Sequence, residues 1–388
     1  MLMHSKIFVV KNLAQIEEAL TPLVEYMTDP NKIDFDEDIV SIIYYLIIHN
    51  QQLTKLSLAV IGHLYKYCEK IKGLLLDMYE LINAYLAYGT DIILSNESYM
   101  EGIYKVFEQG LKNDKFKNGP FFTCLLIQTW VLNCTKIPQN LVQNLANIIL
   151  KDIETILIEY KNSRTLGEDN YNFLGDVTVI LSCLINYSNI IIPFLSQNNN
   201  GNAIKLWLEI INKEDEPGFE YEIKIIIYSI SLIIQRGIIK NDINDFLNLS
   251  IELLKSQEYN AKYEIKKNDK KALNLHFEKD DDEQSEDDKD ENVEDNDYNE
   301  IKDLISKTIN PIKDMDEFKI FNELLLYLKN NDNGVYSNWE STLDDKKKSL
   351  VNKIFGTKRV NITMGDNNNV KVPRRILSIK RSQTNNNQ

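Results

Sequence analysis

Apolar residues recur every three to four positions along this chain, and the pattern hardly lapses from near Lys11 to Gln257. In residues 36–49, Ile39, Ile43, Leu46 and Ile47 fall at i, i+4, i+7 and i+8. That spacing is one stripe of an amphipathic helix, with Asp36, Glu37 and Asp38 in the first turn where the helix dipole favours anions. The same reading predicts helices over 53–68, 74–88, 97–112, 121–132, 139–160, 170–187, 203–211, 219–235 and 242–255. Pro120 and Pro138 suit helix starts, where the missing N–H is no loss. Gly89 reads as a C-cap after Tyr88, and Gly110 as the end of 97–112.

One stretch, IKIIIYSISLII over 223–234, is β-branched enough for a buried strand. Its isoleucines at 223, 226, 227, 230, 233 and 234 nevertheless keep helical spacing, which a strand would split between two faces. The result is about a dozen amphipathic helices joined by short polar connectors. A single bundle core saturates well before this length, whereas helix pairs can stack without limit. The expected fold is all-α, a HEAT-repeat-type α-solenoid with pairs of roughly 40–47 residues, carrying no tight ankyrin or tetratricopeptide signature.

Composition changes the picture at one place. Residues 278–300 hold fourteen Asp or Glu against two Lys, a local net charge of −12 in a chain of −14, so the rest is close to neutral at −2. A segment with so few apolar residues cannot offset its ordering entropy, and a disordered acidic loop is expected there. Its candidate contacts are Asp280, Asp281, Asp282, Glu283, Glu286, Asp287, Asp288, Asp290, Glu291, Glu294, Asp295 and Asp297. One reading is plain solvation. The other is long-range attraction of a basic partner, screened by salt, with selectivity supplied by the folded surface nearby. The same sign argues against direct nucleic-acid binding by the body.

Beyond the loop, residues 316–329 predict one more helix with Phe318, Phe321, Leu325 and Leu328 on a face. Trp339 and Leu343 are expected to fold back on it, before a short helix over 345–355. Residues 357–388 are Asn-rich and basic, and are expected to be a disordered tail whose favoured contact is the acidic loop in cis. The expected organisation is a solenoid over 1–277, the loop over 278–300, terminal helices over 301–356, and the tail.

Candidate chemistry is sparse. Only 14 Gly and 8 Pro disfavour a many-stranded fold. Cys68, Cys124, Cys134 and Cys183 lack paired spacing and the four histidines are scattered, so buried thiols are expected and no metal or cofactor is implied. No phosphate-binding glycine loop, G-x-S-x-G or H-E-x-x-H occurs, which favours a non-catalytic protein. No signal peptide is visible, and the longest uncharged apolar run, 225–234, is about half what spans a bilayer. An intracellular protein without membrane insertion is expected.

Specific stretches resemble the importin-beta (karyopherin-beta) nuclear transport receptors, particularly the importin seven and importin eight subgroup. They are KIDFDEDIVS at 32–41, LDMY at 76–79, DIILS at 91–95, MEGIY at 100–104 and IKLWL at 204–208. The order of parts near the end is similar too: a long acidic loop, Asn310-Pro311-Ile312, Asp316-Glu317-Phe318 with Phe321, an aromatic turn and a short terminal helix. The resemblance covers residues 31–355 and implies a nuclear import receptor that shuttles between cytoplasm and nucleus, present as a carboxy-terminal fragment, a split gene product or a degenerate paralogue. It implies nucleoporins and basic cargo of histone or ribosomal-protein type as partners. The family's contact with the GTPase Ran lies in amino-terminal helices that this sequence does not include. The rival expectation is an acidic-loop chaperone or scaffold unconnected with the nuclear pore; an enzyme is the third.

Overall fold

The computed structural model describes residues 6–29, 37–64, 66–67, 74–112, 119–166, 170–196, 200–213, 220–239, 242–255, 312 and 315–356. Among them 87% are helical and none lies in a strand, so the chain is all-α. The helices are α1 (Lys6–Met27), α2 (Glu37–Asn50), α3 (Lys55–Ile61), α4 (Leu74–Tyr88), α5 (Thr90–Ser95), α6 (Glu97–Leu111), α7 (Gly119–Asn133) and α8 (Gln139–Ser163). They continue with α9 (Asn170–Asn186), α10 (Ser188–Ser196), α11 (Asn200–Lys213), α12 (Glu220–Gln235), α13 (243–255), α14 (Glu317–Asn331), α15 (Asn333–Thr342) and α16 (Asp345–Gly356).

Six of these make a central succession in which each packs on the next: α2, α4, α7, α9, α12 and α14. The others flank it: α1 on α2 and α3, α6 on α7, α8 and α10 on α9, and α15 and α16 on α14. Sequence pattern explains the division. Flanking α8 buries Val142, Leu145, Ala146, Ile149, Ile153 and Ile156, one stripe at helical spacing, and leaves its other face wet. Central α7 has no polar face at all. Thirteen of its fifteen residues are buried, because α4, α6 and α9 surround it.

Two glycines mark where a neighbouring side chain crowds the helix backbone. A Cβ on Gly175 of α9 would lie 3.1 Å from Phe121 and 3.2 Å from the Cys124 Cβ of α7, so this residue sets how tightly the two central helices approach. Gly89 ends α4 as expected, its N–H donating to the Tyr85 carbonyl at 2.8 Å, but without a left-handed backbone. Its φ is −114°, and the space a Cβ needs is filled by Leu53, with Cδ1 at 2.5 Å. The glycine is there for close approach, not for conformational freedom.

Other sequence expectations need correction. The first helix starts at Lys6, and the single helix expected over 53–68 breaks, with α3 ending at Ile61 and turning through Gly62 and His63. Its start is pinned by a capping box in which Ser57 N donates to Thr54 Oγ1 at 3.3 Å and Thr54 N to Ser57 Oγ at 2.7 Å. Near Gly110 the helix does end as expected: α6 stops at Leu111, one residue on, and the Lys112 N–H donates to the Gly110 carbonyl. Three short helices, α5, α10 and α15, occupy stretches read as connectors or turns.

Candidate functional site

The acidic residues 280–297, the basic tail 357–388, Cys68, His4 and His276 lie outside the described residues. What the structure does show is how the chain is held on either side of the acidic segment. The described chain stops at the end of α13 and resumes at Ile312, which is buried, with α14 packed on α12.

The predicted terminal cluster lies at this return. Asp316 caps α14 by accepting from Lys319 N at 3.1 Å, and Asp332 caps α15 by accepting from Val335 N at 3.3 Å. Phe321, Leu325 and Leu328 of α14 are buried, with Phe318 half-buried beside them. Trp339 of α15 is fully buried, edge-on to Phe321 with ring centroids 6.5 Å apart. Its indole N–H donates to Asn248 Oδ1 of α13 at 3.3 Å. Four of the five named residues therefore form one buried cluster and Phe318 borders it.

Ionic contacts reinforce the same junction. Lys224 of α12 lies 4.0 Å from Glu317 of α14, both side chains nearly buried. Glu252 of α13 holds Lys255 at 3.1 Å and Lys347 of α16 at 2.8 Å; these cations keep its carboxyl below the usual range despite the opposing effect of burial. Tyr327 of α14 donates to the Gln235 carbonyl at 3.3 Å. The described helices on either side of that segment, α13 and α14–α16, are thus tied into one packed corner.

A second feature was missed by sequence reasoning. Buried polar side chains join successive central helices. Asn83 of α4 donates to Thr129 of α7 at 2.8 Å, and Gln128 of α7 to Thr178 of α9 at 2.7 Å. Asn186 of α9 reaches the Val131 carbonyl at 2.7 Å, and Ser229 of α12 the Leu181 carbonyl at 3.3 Å. Where α7, α8 and α9 meet, Asp176 is 1% exposed and accepts from the Cys124 thiol at 3.3 Å. Burial pushes the Asp176 carboxyl well above the carboxylate range, and the charge of Asp152 on α8 pushes it the same way. Burial, then Asp176, push the Cys124 thiol up, and burial pushes Cys183 up to about 12. These thiols are protonated and enclosed, so neither is an activated nucleophile. The signal was present as a lone Asp inside the apolar run LGDVTVIL.

Among the described residues no group of three His, Cys, Asp or Glu is arranged to hold a metal ion. A depression of about 330 Å³ between α15 and α16 is lined by Ser337, Glu340, Ser341, Leu343, Lys348, Val351 and Asn352. It brings together no pair of buried carboxylates. Among the described residues no helix is long and apolar enough to cross a membrane. Comparison with known protein families, with curated proteins and with solved structures finds no match.

Proposed function

We propose that this chain is an importin-beta-type nuclear import receptor, or the carboxy-terminal cargo-binding portion of one, built as a HEAT-type α-solenoid. The observation that carries the reading is the succession of central helices. The first five begin at residues 37, 74, 119, 170 and 220, each packed on the next, with flanking helices on α2, α7 and α9. Steps of 37 to 51 residues between these starts bracket the roughly 40–47 residues of a HEAT pair. The acidic segment falls between two such units, where the resemblance places it.

In this reading cargo is gripped in two parts. Residues 280–297 attract a basic protein from a distance, and the helices around α12–α16 supply the shape that selects it. Each exposed ionic contact contributes only ~0.2–1 kcal/mol, so the twelve carboxylates act together and weaken together as salt rises. The receptor binds nucleoporins and shuttles between cytoplasm and nucleus.

The test replaces residues 280–297 with a neutral Gly/Ser linker of equal length and measures binding to a core histone or basic ribosomal protein across salt concentrations. The expected outcome is weaker binding at low salt with most of the salt dependence gone. Unchanged affinity at low salt removes the electrostatic half of the proposal. Retention of the unaltered chain on phenylalanine–glycine nucleoporin repeats separates a transport receptor from an acidic-loop scaffold or chaperone, which would pass through.

A further inference from the structure

We draw no further inference here: the strongest candidate, the enclosed side-chain cluster of Asp176, Asp152 and Cys124 where α7, α8 and α9 meet, belongs to the junction already described, and only the raised carboxyl of Asp176 would argue for a role beyond packing.

Discussion

Asp176→Asn should make the protein more stable at neutral pH and flatten part of its pH dependence. Asp176 is enclosed where α7, α8 and α9 meet, and burial holds its carboxyl well above the usual range. In the unfolded chain the same group titrates near ~3.9. Between that value and its folded one, the native state keeps a proton that the unfolded chain has lost. The contribution is therefore fully present below about pH 4 and is lost as pH rises through the folded value. Over the window the slope is about 1.4 kcal/mol per pH unit, large against a total stability of ~5–15 kcal/mol. Asparagine has nearly the same shape and no charge, so it removes this slope. Asp152→Asn takes away the neighbouring charge that raises Asp176, so it should narrow the window from its alkaline end.

Helix stacks do not always unfold in one step, so the local reading is hydrogen exchange of the α9 amides, followed from about pH 5 to 8 after correction for intrinsic rates. Urea denaturation followed by tryptophan fluorescence gives the overall trend, with fully buried Trp130 on α7 as one reporter. Infrared spectroscopy adds a direct check, because a protonated carboxylic acid has its own carbonyl band, expected in the parent just above the pH at which exposed carboxylates have ionised and missing in Asp176→Asn. Equal pH slopes in parent and variant, or no such band in the parent, would refute the reasoning.

Trp339→Ala should cost about 3–5 kcal/mol and loosen α14–α16 first, whereas Trp339→Phe keeps most of the packing and loses about 1 kcal/mol with the bond to Asn248; exchange of α14 amides distinguishes them. Glu317→Gln should cost about 3 kcal/mol by leaving nearly buried Lys224 without its acid, and pairing Lys224→Met with Glu317→Leu should restore most of it in denaturant titration. Gly89→Ala should destabilise by about 1–3 kcal/mol through overpacking against Leu53. Adding Leu53→Ala should recover part of that, a coupling that a double-mutant cycle measures.

Much of the fold was legible because helical periodicity is a local property. Ile223–Ile234 is the clear instance: residue type favoured a strand, spacing favoured a helix, and α12 is a helix. Short elements were harder. Trp339 was expected in a turn, yet 333–342 is a helix, because Asp332 caps it and Tyr336 and Trp339 find a core that lies far away in sequence. The two glycine positions could not be read either, since what crowds Gly89 is Leu53, on another element. Glu317 looked like an ordinary acid in a first helical turn, and the apolar run around Asp176 hinted at burial without saying against what. The packing of α9 on α7, and of α14 on α12, is what encloses them.

Removing residues 278–300 should scarcely change stability, and the reason lies in how that corner is built. Fifty-six residues, 256–311, separate the described end of α13 from Ile312. Deleting twenty-three of them shortens the connection to thirty-three, which by the logarithmic dependence of loop closure is worth only about half a kcal/mol, in the stabilising direction. The return of the chain is fixed instead by Trp339 on Asn248, Lys347 on Glu252 and Glu317 beside Lys224, none of which lies within the deleted span. A denaturant midpoint close to the parent's is expected, together with loss of salt-dependent binding to a basic protein. Such a result would assign the carboxylates to recognition and the corner to support. A loss of more than about 2 kcal/mol, far beyond any closure effect, would show that the acidic segment itself packs on the stack, and the separation of the two roles would fail.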